Sequence, residues 1–192
     1  MQDQIQAFCP GCPQEEADRR WMLDYLQNHP NAYSRLDPVA HMTASAWVLG
    51  PDGKRVALVH HNIYNSWSWV GGHADGQRDL LKVAMQEVRE ETGIKRLKLL
   101  KNGIFSLECL AVMGHEKRGA YVPSHIHMNV TYLLQAEDET LREKPDENSA
   151  VGWFTPEEAL RASTEPWMVQ RVYRKLVQRT AIFLADTQAG SR

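Results

Sequence analysis

Residues 72–94, GHADGQRDLLKVAMQEVREETGI, join a glycine-rich turn to a predicted helix whose end carries three glutamates. Side chains three and four positions apart share one helical face, so Glu87 is expected to stand beside both Glu90 and Glu91. Carboxylates that close repel one another unless a cation binds between them. Hard divalent cations such as Mg²⁺ take carboxylate and substrate phosphate oxygens together. The stretch therefore favours metal-assisted chemistry on a phosphorylated small molecule, with a solvated acidic helix end as the common alternative.

The ends of this helix are marked in the sequence. Asp79 is a residue type that caps helix N-termini, and Gly93 can end the helix in the left-handed conformation. An apolar stripe between them is expected to face the core, and it consists of Leu80, Leu81, Ala84 and Val88.

The segment ahead of the glycine turn predicts strands. Residues 40–49 and 55–61 are rich in valine, alanine and leucine, and Gly50-Pro51-Asp52-Gly53 between them is a strong turn signal. They are expected to form a hairpin, and residues 67–70 a short strand that leads into the turn.

The segment after residue 94 is also predicted to contain strands and helices. Residues 125–134 alternate strictly, with His125, His127 and Asn129 on one face and apolar residues on the other. Further strands are predicted at 97–100, 104–113 and 150–154, and helices at 156–161 and 167–184. This order of elements predicts an α/β fold in which helices pack on the faces of a mixed sheet.

The predicted domain organisation has three parts. Residues 1–38 form an N-terminal segment with a helix at 14–29 that packs on the main domain, because apolar residues recur there at helical spacing before Pro30. Residues 39–185 form the main domain, and residues 186–192 a flexible tail.

Composition excludes several classes of function. The chain has 192 residues, 43% of them hydrophobic, and a formal net charge of −2, so no basic excess indicates a nucleic-acid partner. No apolar stretch approaches the roughly 20 residues of a membrane helix. The first ten residues, MQDQIQAFCP, lack a secretory pattern, so the expected location is cytoplasmic.

The three cysteines do not indicate a disulfide framework. Cys9 and Cys12 form a C-x-x-C pair that could be redox-active or half of a zinc site. No second pair follows, so an ordinary structural role is favoured. Cys109 lies in an apolar run and is expected to fill the core.

Residues 72–94 resemble the Nudix box, G-x5-E-x7-R-E-U-x-E-E-x-G-U with U aliphatic. Gly72 matches its first glycine, and residues 87–94 match its second half in register. Arg78 stands where the box has glutamate, and Gln86 where it has arginine. The resemblance implies a Nudix-like α/β/α sandwich. Because the box arginine normally pairs with nearby glutamates, a replacement contact is expected from Asp75, Asp79 or Arg89.

The resemblance also implies an activity: hydrolysis of a phosphoanhydride bond in a nucleoside diphosphate derivative, with Mg²⁺ or Mn²⁺. It makes Glu87 and Glu91 direct metal ligands, with Glu90 as a third ligand or the residue that orients a metal-bound water. The backbone carbonyl of Gly71 is the expected extra oxygen ligand. Many members of the family are dimers, so the resemblance also allows a homodimer for this chain.

A late acidic residue often serves as the base or completes the metal site in the family. Glu147, next to Asp146 and ahead of the strand that contains Trp153, occupies such a position, although a solubilising loop acid is the alternative.

Three residues are candidates for substrate contact. His73 follows the glycines directly, Trp67 could stack on a base, and His127 shares a strand face that could look into the cleft. The common alternatives are cleft-wall packing for Trp67 and a solvated sheet face for His127. His60 and His61 are expected near His73.

Two other functions are compatible with parts of the sequence. Isopentenyl-diphosphate isomerases resemble this chain in a Gly-His pair, but they need a cysteine where Gly71 stands, and the nearest cysteine is Cys109. A non-catalytic nucleotide sensor is favoured only by the two departures from the box, at Arg78 and Gln86.

Overall fold

The computed structural model of the protein describes residues 1–63, 65–117 and 119–189. The helices are α1 (Gln2–Ala7), α2 (Pro13–Asn28), α3 (Leu80–Thr92), α4 (Pro156–Ala162), α5 (Pro166–Met168) and α6 (Arg174–Ala189), with a π-helical turn, Val169–Tyr173, between the last two. The strands are β1 (Ala40–Leu49), β2 (Val56–His61), β3 (Ser66–Ser68), β4 (Val70–His73), β5 (Leu97–Leu99), β6 (Ser106–Val112), β7 (His115–Lys117), β8 (Ala120–Val122), β9 (His125–Ala136) and β10 (Asn148–Phe154).

A mixed sheet organises the fold, as the sequence predicted. Its central path runs β10-β2-β1-β9-β5, with β3, β4 and β6 paired to β2, β1 and β9. The pairing of β1 with β9 is parallel and extends from Ala40 opposite Ile126 to Leu49 opposite Gln135. The strands β7 and β8 form a separate two-stranded sheet.

Helices cover both faces of the sheet, and β1 shows how the sequence achieves this. All ten residues of β1 are buried, as expected of a central strand covered on both sides. Met42 and Ala44 belong to one core, which also receives apolar residues of α2 and α3. Trp47 and Leu49 belong to the other core, which receives Val172 and residues of α6. The mixed α/β architecture with an N-terminal helix is therefore confirmed.

The predicted hairpin is also present. Leu49 pairs with Val56, and the backbone N–H of Gly50 donates to the carbonyl of Arg55 at 2.8 Å. Gly53 has a φ of 67°, a left-handed conformation that glycine adopts without steric cost.

The helix α2 is tied to the main body by a buried ionic network. Glu15 is fully buried and accepts hydrogen bonds from Arg179. The Lys175 ammonium lies 3.1 Å from Glu15 and 2.8 Å from the buried Glu108 of β6. Packing of the N-terminal helix on the rest of the chain thus involves charged groups as well as the apolar residues Met22, Tyr25 and Leu26 of α2. The boundaries of the predicted N-terminal unit stay a prediction.

Two predicted elements differ in detail. The predicted strand at 67–70 is two strands, because the chain leaves its pairing with β2 at Ser68 and joins β1 from Val70. The last helix continues to Ala189, so residues 186–189 of the predicted tail are helical. Residues 190–192 of that tail lie outside the described residues. Among the helices that the structure describes, none is long and apolar enough to cross a membrane.

Candidate functional site

The helix α3 carries the acidic residues, and its two predicted caps are confirmed. The Asp79 side chain accepts a hydrogen bond from the backbone N–H of Lys82 at 3.2 Å. Gly93 ends the helix with a φ of 74°. Because α3 packs on β1 and β4, its last turns lie against the glycines at the end of β4.

The glycine turn approaches the acidic residues so closely that side chains are excluded. The backbone N–H of Gly71 donates to Oε2 of Glu91 at 3.3 Å. A Cβ atom at Gly71 would lie 2.7 Å from the carbonyl oxygen of Ala44, and one at Gly72 would collide with the carboxylate of Glu87. These glycines are therefore required for backbone and carboxylates to share one small volume.

Three carboxylates converge beside this turn. Glu87, Glu91 and Glu147 each offer an oxygen, and these atoms all lie within 4.8 Å of one another. We call these three residues the acid cluster. Glu147 comes from the loop before β10, and its neighbour Asn148 fixes that loop by donating a side-chain hydrogen bond to the backbone carbonyl of Glu91 at 3.0 Å. Several carboxylate oxygens in one volume are the ligand set that a hard divalent cation prefers.

The electrostatics of the acid cluster favour a bound cation. Burial, reinforced by the charges of Glu87 and Glu147, raises the pKa of Glu91 to about 8. Burial, reinforced by Glu90 and Glu147, raises the pKa of Glu87 to about 7. Without a cation, two carboxylates therefore resist ionisation at neutral pH. A divalent ion would offset both the desolvation and the repulsion.

Glu90 stands apart from the acid cluster. Its carboxylate accepts hydrogen bonds from the Gln86 amide at 2.8 Å and from the Lys144 ammonium at 3.3 Å. The hydrogen bond from Gln86, opposed by slight burial and reinforced by Lys144, lowers the pKa of Glu90. Lys144 also lies 2.9 Å from Glu147, so it bridges the two acids. Lys144 was not among the predicted site residues, since its contact with α3 depends on how a distant loop folds.

The two departures from the box have local explanations. The guanidinium of Arg78 lies over the ring of Tyr33, 4.6 Å from its centroid. Gln86 keeps a contact with Glu90 that needs no charge. The residues expected to supply a replacement contact instead bond elsewhere: Asp75 to Arg35, Asp79 to the N–H of Lys82, and Arg89 to the carbonyl of Lys95. The cation that contacts Glu90 is Lys144.

The three candidates for substrate contact do not lie together. The Nε2 atoms of His73 and His127 are 3.2 Å apart. The ring of Trp67 instead packs against Phe154 and His60, with centroid distances of 4.7 and 5.4 Å.

The alternative interpretation, a solvated sheet face shared by His125, His127 and Asn129, is wrong at Asn129. Asn129 is 1% exposed, and its side-chain oxygen accepts hydrogen bonds from Thr43 and Ser45 at 3.0 and 2.9 Å. The parallel pairing with β1 covers this face with polar partners. It also brings His41, which was not among the predicted site residues, opposite His127.

Comparison with known proteins gives one family. The family model of the NUDIX domain matches residues 39–177. No curated protein matches the chain significantly.

Solved structures show the same fold at low sequence identity. A C. elegans Ap4A hydrolase, solved as a binary complex, is 18% identical, with a TM-score of 0.52 over 76% of this chain and 98% of that chain. The E. coli dihydroneopterin triphosphate pyrophosphohydrolase is 18% identical, with a TM-score of 0.54 over 71% and 94%. The NUDIX domain of Shewanella oneidensis NrtR, complexed with ADP ribose, is 18% identical, with a TM-score of 0.51 over 84% and 97%.

Proposed function

Because the chain belongs to the Nudix family, whose hydrolases act on pyrophosphate bonds, we propose that it hydrolyses a phosphoanhydride bond in a nucleoside diphosphate derivative, using Mg²⁺ or Mn²⁺. The observation that carries this proposal is the acid cluster, whose three carboxylates meet beside the glycine turn. The partner is a phosphorylated small molecule, and the homodimer stays a prediction.

Glu87 and Glu91 are the proposed direct metal ligands. Both lie against the glycine turn, and their raised pKa values mark them as carboxylates that gain most from a neighbouring cation. The carbonyl of Gly71 is the proposed backbone ligand. A divalent ion bound there would neutralise part of the diphosphate charge and lower the pKa of a bound water.

Glu147 completes the proposed ligand set or accepts a proton from water. Its membership in the acid cluster supports the first role, and its position on a loop supports the second, since such a side chain can move between ligand and base. Glu90 was predicted to bind metal or orient water. Its contacts with Gln86 and Lys144 support an indirect role, in which it holds Lys144 beside Glu147.

His73 and His127 are proposed to lie along the substrate's path, because His73 follows the glycine turn directly. Trp67 is proposed as a wall of the cleft, since its ring packs on Phe154. The isomerase hypothesis has no further support, because Gly71 occupies the position where those enzymes need cysteine.

A panel of substrates tests the proposal. The protein is incubated with Mg²⁺ or Mn²⁺ and nucleoside triphosphates, ADP-ribose, dinucleoside polyphosphates, other sugar nucleotides or isopentenyl diphosphate. Release of phosphate, pyrophosphate or mononucleotide supports hydrolysis. Dimethylallyl diphosphate would support the isomerase, and tight binding without product would support the sensor.

Matched variants connect the activity to the site. We expect Glu87→Gln to lower turnover by roughly 100-fold or more, because it removes a metal-ligand charge without changing shape. Glu157→Gln, on the exposed surface of α4, is the control and should behave as the unmodified protein. Equal turnover in both variants would remove Glu87 from the site.

A further inference from the structure

Four histidines converge at one end of the sheet. Each of His41, His73, His125 and His127 offers a ring nitrogen, and these nitrogens all lie within 4.8 Å of one another. We call them the histidine cluster. They come from three paired strands: His41 lies on β1, His73 at the end of β4, and the other two at the start of β9.

The backbone fixes the tautomer of two of these rings. Nδ1 of His41 lies 3.2 Å from the carbonyl of Asp37, and Nδ1 of His125 lies 2.8 Å from the carbonyl of Pro123. A carbonyl only accepts, so each Nδ1 carries the hydrogen, and in the neutral ring each Nε2 presents a lone pair. Histidines that bind metal are held in this way, with the other ring nitrogen donating to a carbonyl or carboxylate.

The lone pair of His41 is buried without a partner. His41 is only 4% exposed, and its Nε2 atom has no hydrogen-bond partner among the described residues. Leaving a buried polar atom unsatisfied costs about 1–3 kcal/mol. The ring faces the other three histidines, with centroid distances of 4.9–5.2 Å. A metal ion in this space would accept the lone pair of Nε2 and remove that cost.

The contacts of His127 also indicate a bound ion. Its Nε2 lies 3.2 Å from Nε2 of His73 and 3.0 Å from Nε2 of His125. A neutral ring nitrogen either donates one hydrogen or presents one lone pair. If it donates to His125, its single hydrogen can contact His73 only as a weaker, shared bond, and if it accepts, two lone pairs lie face to face at His125. A cation shared by these nitrogens accounts for both contacts.

We propose that the histidine cluster binds a first-row transition-metal ion, with Zn²⁺ as the best-fitting occupant. Imidazole nitrogens suit such ions, whereas Mg²⁺ prefers the oxygens of the acid cluster. Zinc binds histidine nitrogen at about 2.0–2.1 Å with tetrahedral geometry, which separates neighbouring nitrogens by roughly 3.3–3.4 Å. The two contacts at His127, at 3.2 and 3.0 Å, are close to this separation, and all four ring nitrogens lie within 4.8 Å of one another.

The ion would join the ends of β1, β4 and β9. Since His73 directly follows Gly72, it would also hold the glycine turn beside the acid cluster. The two sites use different ligand chemistries, so the zinc proposal stands independently of the proposed hydrolase activity.

Metal binding by the untagged full chain tests the proposal. The protein is stripped of metal, dialysed against Zn²⁺ in excess Mg²⁺, and its zinc content is measured. We expect one Zn²⁺ per chain and a rise in the unfolding temperature. Cobalt loaded in place of zinc should absorb visible light strongly, as four-coordinate Co²⁺ with nitrogen ligands does, in contrast to six-coordinate Co²⁺ with oxygen ligands.

Substitutions in the histidine cluster test which residues bind the ion. His127→Asn and the half-buried His125→Gln should each weaken zinc binding by more than about 100-fold, since loss of even a supporting contact typically costs 10–100-fold. His29→Asn, at an exposed position on the N-terminal segment, should bind as the unmodified chain does. The Glu87→Gln/Glu91→Gln double variant should keep its zinc even if it loses hydrolysis.

Three results would overturn the proposal. One is the absence of stoichiometric zinc in the unmodified chain. Another is zinc lost from the Glu87→Gln/Glu91→Gln variant and retained in the folded histidine variants. The third is a cobalt spectrum of the six-coordinate oxygen type. Circular dichroism identifies a variant that has failed to fold, in which case the cobalt spectrum of the unmodified chain decides the question.

Discussion

Replacing Glu91 with glutamine should stabilise the metal-free protein at pH 8 while removing its turnover. Burial and two neighbouring carboxylates raise the pKa of Glu91 to about 8 in the fold, from an ordinary value of 4.5. A carboxyl whose pKa rises on folding stabilises the fold below the ordinary value, and this contribution is lost as the pH rises through the folded-state pKa. The ionised side chain therefore destabilises the metal-free fold at alkaline pH.

The magnitude follows from the two pKa values. With about 1.4 kcal/mol per tenfold change in the proton equilibrium, Glu91 lowers the free energy of unfolding at pH 8 by roughly 4 kcal/mol. At pH 5 the same side chain is mostly protonated in the fold, and the loss is under about 1 kcal/mol. Glutamine has the same shape and no charge, and its oxygen can still accept the hydrogen bond from Gly71.

Urea unfolding in a chelator measures this difference. Glu91→Gln should be more stable than the unmodified protein by roughly 4 kcal/mol at pH 8 and by under about 1 kcal/mol at pH 5. Saturating Mg²⁺ should stabilise the unmodified protein and have little effect on the variant. A variant that is less stable at pH 8, or a difference that does not change with pH, would refute the account of the acid cluster.

Three other substitutions give further tests. Gly72→Ala should lower turnover by about 100-fold, because its Cβ would displace the carboxylate of Glu87; turnover within twofold of the unmodified rate would contradict this. Lys144→Met should tighten Mg²⁺ binding a few-fold in calorimetry, because it removes a positive charge beside the acid cluster; weaker binding would mean that Lys144 chiefly holds the acids in place. Glu15→Gln should reduce the free energy of unfolding by about 3 kcal/mol, since it removes the buried charge that Lys175 and Arg179 contact; the partly exposed Glu16→Gln should change it by less than about 1 kcal/mol, and equal effects would contradict a structural role for the network.

Much of the fold could be predicted because local signals agreed with tertiary structure. Asp79 and Gly93 delimit α3 by capping chemistry that acts within a few residues, so the sequence alone defines that helix. The β1–β2 hairpin follows from one turn motif between two apolar runs. The break near Trp69 was missed, because it reflects a change of strand partner that no local pattern encodes.

The site was predictable only in part, for the same reason. The grouping of Glu87 with Glu91 follows from helical geometry, which a sequence reveals directly. The separate position of Glu90 depends on Lys144, more than fifty residues away in the chain. The histidine cluster depends on parallel pairing of β1 with β9, and so on contacts between residues that are distant in sequence. Its only local signal was the spacing of His125 and His127 on one strand face.

Anomalous scattering from crystals soaked with Mn²⁺ tests the central claim most directly. We expect an ion bonded to carboxylate oxygens of Glu87 and Glu91, with Glu147 in its first or adjacent coordination layer. Well-ordered crystals with no manganese between these side chains, and with the carboxylates turned apart toward solvent, would contradict the assignment of the acid cluster as the metal site.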